Sequence, residues 1–147
     1  MSEKLNIAVV GATGAVGEAM LSILAEYGFR AANVHALASE RSLGKTVDFG
    51  NRCLAVDALD DFDFAGCDFA LFSAGGGISL KHAPRAAAAG CTVIDNTSAF
   101  RLDPEIPLVV PEINGDLLEN LGPGSIIANP NCSTIQMLIA IAPIHAI

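Results

Sequence analysis

Short apolar runs alternate along the chain with longer segments of helical spacing. Residues 5–10 (LNIAVV) are apolar and closed by glycine, the pattern of a buried strand. Residues 15–27 place Val16, Met20, Ile23 and Leu24 on one helical face, and Gly28 supplies the stop. Asn33–Ala38 and Phe69–Phe72 read as further strands, the latter leading into Gly75-Gly76-Gly77. Residues 78–89 read as a helix closed by Gly90, and Thr92–Asp95 as a fourth strand. Residues 108–110 and 125–128 add two strand candidates, and 114–121 a short helix stopped by Gly122-Pro123. Strands of a parallel sheet covered on both faces are continuously apolar and alternate with helices. The pattern predicts an α/β domain: a doubly wound, Rossmann-type fold with a mostly parallel sheet.

Composition narrows the function classes. With 52% hydrophobic and 16% charged residues, the 147-residue chain can bury a core without disulfides. Sixteen acids against eight bases leave a net charge of −8, which disfavours nucleic acid and anionic membranes as partners. The first apolar run is too short for a signal peptide, and no segment has the uninterrupted apolar length of a membrane span, about 18 residues. The expected location is the cytoplasm. Cys53, Cys67, Cys91 and Cys132 form no CxxC pair, and the histidines no HxxxH pair, so no metal site is expected. Cys53, Cys67 and Cys91 lie in or beside apolar segments and read as buried small hydrophobes. The acidic stretch 57–68 (Asp57, Asp60, Asp61, Asp63, Asp68) reads as a solvated loop rather than a docking surface.

Two turns carry chemistry. Gly11-Ala12-Thr13-Gly14-Ala15-Val16-Gly17 follows the first strand and opens the first helix. Gly11 permits the tight turn, Gly14 the approach of a pyrophosphate, and Gly17 close helix–strand packing. The helix N-terminus adds free N–H groups and a positive dipole end. The end of the second strand selects the cofactor, an acid serving NAD and an arginine NADP. Glu40 suits the first role, but Arg41 between Ser39 and Ser42 offers a guanidinium fork and hydroxyls, so NADP is expected. In the second turn, Ala128-Asn129-Pro130-Asn131-Cys132-Ser133-Thr134, Cys132 falls at the start of an apolar helical run. That position favours a thiolate, the nucleophile for redox chemistry through a thioester.

GATGAVGEAML, LASERSLGK, SAGGGIS, IDNTSAFR, VVPEIN and NPNCSTIQ occur here in that order. Over essentially its whole length the chain thereby resembles the aspartate-β-semialdehyde dehydrogenases. The N-acetyl-glutamyl-phosphate reductases are similar at the glycine turn but usually carry glycine before the cysteine, so Asn131 favours the aspartate branch. A non-catalytic nucleotide-binding module is the alternative of a different class.

The resemblance implies roles. Thr13, Gly14, Ala15 and Val16 would hold the NADP phosphates, Arg41 and Ser42 the 2′-phosphate, and Ser73, Gly75 and Gly76 the nicotinamide half. Arg101 would bind inorganic or acyl phosphate, with Asn96 and Ser98 nearby; read without the resemblance, it is either a surface arginine paired with Asp103 or Glu105 or, because it follows a strand end and Asn96-Thr97-Ser98, an anion-binding residue. Asn131 would position substrate beside Cys132. In the implied reaction Cys132 displaces phosphate from β-aspartyl phosphate, and the thioester is reduced by NADPH to aspartate semialdehyde, a step toward lysine, threonine and methionine. The full-length enzymes would be homodimers or homotetramers. They are roughly twice this length, and their second domain supplies an acid–base histidine and a carboxylate-binding arginine. His35, His82 and His145 match no such position. The expected division is an NADP-binding domain over 1–130, then the nucleophile turn and the start of a truncated catalytic and dimerisation domain over 131–147. Cofactor binding without turnover is expected, with apolar surface exposed over 135–147.

Overall fold

The computed structural model describes residues 4–28 and 33–145. Among them seven strands form one sheet: β1 (Asn6–Val10), β2 (Asn33–Ala38), β3 (Thr46–Phe49), β4 (Arg52–Ala58), β5 (Phe69–Phe72), β6 (Thr92–Asp95) and β7 (Ile126–Ala128). The order across the sheet is β3-β4-β2-β1-β5-β6-β7. All neighbours run parallel except β3 and β4, which form an antiparallel hairpin. The helices are α1 (Ala15–Glu26), α2 (Gly76–Ala88), the short α3 (Pro111–Asn114) and α4 (Cys132–His145). No helix among the described residues is long and apolar enough to cross a membrane.

Strand β1 shows why its sequence is apolar without alternation. Ile7 and Val9 join Leu21 and Ala25 of α1, with Val47, Phe49 and Val56, in one core. Ala8 and Val10 point the other way, to Phe64, Phe72, Val93 and Ala83 and Ala86 of α2. Both faces of the strand are covered, so both must be apolar. The chain moves outward from β1 to β2, β4 and β3 on one side, and through β5, β6 and β7 on the other. The order reverses between β1 and β5, and ligands of such sheets bind at that switch point beyond the carboxyl ends of the strands.

Four local expectations are corrected. Helix α1 turns Gly17, Leu21 and Ala25 inward, while Val16 and Ile23 are exposed. Gly17 sets this face, because a Cβ there would stand 2.2 Å from the Gly11 carbonyl oxygen. The β3–β4 hairpin has no counterpart in the predicted elements. Its signal is the two-residue Gly50-Asn51 turn flanked by alternation, with Val47 and Phe49 buried and Thr46 and Asp48 exposed. Residues 108–110 make only an isolated bridge, Leu108 to Ala128. The helix expected at 114–121 begins earlier, at Pro111, a residue suited to a first helical position, and then tightens into a 3-10 turn over Gly115–Leu118.

Candidate functional site

The first half of the site is built on β1. Gly11 adopts φ +90°, which a side chain would strain, and a Cβ there would come within 3.0 Å of the Ala74 backbone. The Gly11 and Ala12 N–H groups both donate to the Leu37 carbonyl, at 2.8 and 3.1 Å, and Gly14 N–H closes onto the Gly11 carbonyl at 3.0 Å. The turn is therefore fastened to the end of β2. Gly14 precedes α1 without any side-chain cap. The first-turn amides of Ala15, Val16 and Gly17 have no intrahelical acceptor, which leaves them for an anion.

Thr13 Oγ1 and Ser42 Oγ stand 3.4 Å apart, so the glycine turn meets the 3-10 turn Glu40–Ser42 after β2. Ser42 is buried there, whereas Ser39, Glu40 and Arg41 are exposed. Ser73 directly follows β5, with its N–H on the Val10 carbonyl at 2.9 Å. Gly11, Thr13, Gly14, Ser39 and Ser73 line one crevice of ≈ 350 Å³ at the switch point, with Leu59, Asp60, Ile78 and His82. A wider groove of ≈ 650 Å³ lies beside α1 and the β3–β4 turn. It carries Glu18, Glu26 and Asp48, a field that repels phosphate.

The second half lies at the same edge of the sheet. Asp95 ends β6 fully buried, and its carboxylate accepts from Ser79 Oγ (2.7 Å), Thr97 Oγ1 (2.7 Å) and Thr97 N–H (3.2 Å). It ties α2 to the turn at 96–98. A Cβ on Gly76 would lie 4.0 Å from Ser98 Oγ, so the Gly75-Gly76 turn adjoins that same turn. Asn129, just past β7, donates its N–H to the Asp95 carbonyl (2.8 Å) and its Nδ2 to Asn96 Oδ1 (2.7 Å). Arg101 donates Nε to the Asn129 carbonyl (2.9 Å) and Nη2 to the Asn96 carbonyl (3.0 Å). It pairs with neither Asp103 nor Glu105 among the described residues. Asn96, Arg101 and Asn129 thus clasp two loops together, and the second loop runs directly into the thiol. Asn131 Oδ1 accepts Ser133 N–H at 2.9 Å, capping α4, and Cys132 is its exposed first residue.

The other cysteines differ from it. Cys53 is exposed, contrary to expectation, because it sits on the hairpin; its thiol donates to Asp48 Oδ1 at 3.4 Å, and that carboxylate pushes its pKa up. Cys67 and Cys91 are buried as expected, and burial pushes both thiols up, Cys91 to about 12. Among the histidines, His35 packs on Phe62, with ring centroids 5.1 Å apart. His145 ends α4, about 20 Å from Cys132 by helical rise. His82 is buried and lines the crevice. The acidic stretch is used locally: Asp68 accepts the Asn6 N–H, Asp63 the Ala65 N–H, and Asp60 binds Lys81. Sequence reasoning leaves Asp95, Asn129 and His82 without a site role. Asp95 carries a signal, a carboxylate closing an apolar strand ahead of Asn-Thr-Ser; His82 in its helix carries none.

Residues 6–121 match the family described as semialdehyde dehydrogenase, NAD binding domain. An aspartate-semialdehyde dehydrogenase of Legionella pneumophila is 54% identical over 145 residues, which cover 99% of this chain and 42% of that protein. The crystal structure of aspartate semialdehyde dehydrogenase II complexed with ASA, from Vibrio cholerae, superposes with a TM-score of 0.91 at 53% identity, over 98% of this chain and 47% of that one. Aspartate semialdehyde dehydrogenase with NADP from Candida albicans shares the fold, with a TM-score of 0.73 at 24% identity over 95% and 46% of the two chains. The chain spans less than half the length of these relatives. A glycine turn at the switch point, a cysteine turn at the same edge, and the match over 6–121 agree: the chain belongs to the semialdehyde dehydrogenase family and carries its NAD binding domain.

Proposed function

We propose that this chain binds NADP and presents the nucleophile of an aspartate-semialdehyde dehydrogenase, which reductively dephosphorylates β-aspartyl phosphate in the biosynthesis of lysine, threonine and methionine. The observation that carries the reading is the common sheet edge: an open crevice at the glycine turn, and at the same edge the turn that leads into Cys132, held by the Asn96–Asn129–Arg101 clasp. The residues present fit a dinucleotide. There is no room for a Cβ at Gly17, so α1 starts tight against the turn with its first amides free for the pyrophosphate. Ser39, Arg41 and Ser42 stand at the end of β2, where a 2′-phosphate is read. Ser73, Gly75 and Gly76 border the way from the crevice toward the 96–98 turn, and we assign them to the nicotinamide half.

The bound cofactor supplies hydride. Cys132 sulfur attacks the acyl carbon of β-aspartyl phosphate, the bond from that carbon to the phosphate oxygen breaks, and inorganic phosphate leaves a thioester. Once hydride has reached the carbonyl carbon, the carbon–sulfur bond breaks and aldehyde and thiolate separate. We assign the phosphate to Arg101, which keeps Nη1 unengaged among the described residues, with Asn96 and Ser98 beside it. Asn131 borders the thiol and holds the helix start. No described histidine adjoins Cys132, so the chain by itself is expected to bind cofactor and accept an acyl group without turning over. Four free thiols fit a reducing cytoplasm. The exposed Met137, Ile139, Ile141 and Ile144 fit association, as a homodimer or homotetramer of the full-length enzyme.

Titration with NADPH and NADH tests the reading. NADPH is expected to bind at least about tenfold tighter, from charge-assisted bonds to its extra phosphate. Arg41→Ala should erase that preference, and Gly17→Ala should abolish binding of both. Equal affinity of the wild-type chain for the two cofactors, or unaltered NADPH binding by Gly17→Ala, overturns it.

A further inference from the structure

His82 is 1% exposed, and its Nε2 has no hydrogen-bond partner although it lines the crevice. A buried donor left unpaired is costly, so its survival calls for a ligand or a role. The tautomer follows from a neighbour. Arg85 is anchored by the carbonyls of Leu59, Asp60 and Phe62 and lies over the Phe64 ring, 5.4 Å from its centroid. Its Nη1 stands 3.1 Å from His82 Nδ1. A guanidinium only donates, so Nδ1 accepts and the ring proton sits on Nε2. Burial, with Arg85 and Lys81 nearby, also lowers the His82 pKa against the pull of Asp60, which keeps the ring neutral.

The carboxylate of Asp60, held by Lys81, has Oδ1 3.4 Å from Nε2. An acceptor and a buried donor thus lie side by side in the crevice wall, next to the apolar side chains of Leu59 and Ile78. Adenine carries the matching pair on one edge, an amine donor next to a ring-nitrogen acceptor, whereas guanine and hypoxanthine carry an oxygen in place of the amine. That oxygen would face the carboxylate.

Resting on the cofactor reading above, we infer that His82 Nε2–H and the Asp60 carboxylate read the adenine base of the dinucleotide, His82 donating to a ring nitrogen and Asp60 accepting from the amine. Both are specificity-determining residues at some remove from the thiol chemistry.

The test is binding of NADPH and of its hypoxanthine analogue to the full chain, read by fluorescence. Wild type is expected to favour NADPH by about tenfold, the size of one hydrogen bond exchanged for a repulsion. His82→Phe should weaken NADPH binding about tenfold, His82→Gln should recover most of it because its amide can donate from a similar place, and Asp60→Ala should narrow the preference for adenine. In nitrogen-15 spectra of the wild-type ring, the Nε2–H signal should move on adding NADPH. Wild-type affinity in His82→Phe, equal binding of the analogue, or an unmoved ring signal in saturated protein overturns the inference while leaving the cofactor reading intact. Failure of wild type to bind either dinucleotide overturns both. If His82→Phe does not fold, as judged by circular dichroism, the glutamine variant, the analogue and the ring signal decide.

Discussion

Helices α2 and α4 are of similar length, and each contains a proline, Pro84 and Pro143, yet they end in opposite surroundings. Helix α2 includes Lys81, His82 and Arg85 and still buries Ser79, His82, Ala83 and Ala86 against the sheet. Helix α4 is far more apolar and buries none of its side chains, leaving Met137, Ile139, Ile141 and Ile144 in the open. Hydropathy alone would rank the two the other way. What α2 has is an opposing surface: small side chains let it approach β5 and β6, and Ser79, Lys81 and Arg85 find partners in Asp95, Asp60 and the loop carbonyls. Helix α4 is apolar all round, the pattern of a helix that is surrounded, and among the described residues its main neighbour is the short α3. Residues 146 and 147 of the apolar run lie outside the described residues.

The contrast should be greatest in the thiols at the two helices. Cys91 follows α2, with its N–H on the Ala86 carbonyl, and its thiol is pushed up to about 12; Cys132 opens α4 and is exposed. A neutral alkylating reagent near pH 7 should label Cys132 at least about a hundredfold faster than Cys91, since only exposed thiolate reacts. Cys53 should fall between them, exposed but raised by Asp48. Peptide mass spectrometry gives the order, and equal rates at Cys91 and Cys132 would break the comparison.

Packing gives the next largest effect. Ala86→Leu forces extra volume between α2 and the sheet and should cost about 1–3 kcal/mol in denaturant unfolding. Ile141→Ala trims an exposed position on α4 and should stay within about 0.5 kcal/mol. A larger loss from Ile141→Ala would mean that α4 is already covered in solution.

The smallest effect sharpens the α2 side. The folded pKa of His82 lies below its ordinary value of about 6.5, so on acidification the unfolded chain takes up this proton first. The associated stability is full above about pH 6.5 and is lost as pH falls through the lower, folded value. His82→Gln should flatten that part of the curve of unfolding midpoint against pH. Parallel curves for wild type and variant would show that His82 is not buried in neutral form.

The parallel strands and the two glycine turns were legible because they depend on neighbours in sequence: apolar runs covered on both faces, and backbone angles such as the +90° of Gly11 that favour glycine. Cys132 was legible as the start of a helix for the same reason. The face that α1 buries was not, since the close approach of Gly17 to the Gly11 carbonyl outweighs the wider apolar stripe. The β3–β4 hairpin carried a local signal, Gly50-Asn51, that a search for βα alternation passes over. The clasp on the cysteine turn joins Asn96 to Asn129 and Arg101 to Asn129, and the orphan nitrogen of His82 is aligned by an arginine that three distant carbonyls hold. By itself the sequence determined the periodicities, the turns and the chemical types available at the edge of the sheet. Only the tertiary structure decided which side chains meet there, because a hydrogen bond between residues some thirty positions apart depends on how the strands beneath it pair, and no local pattern records that.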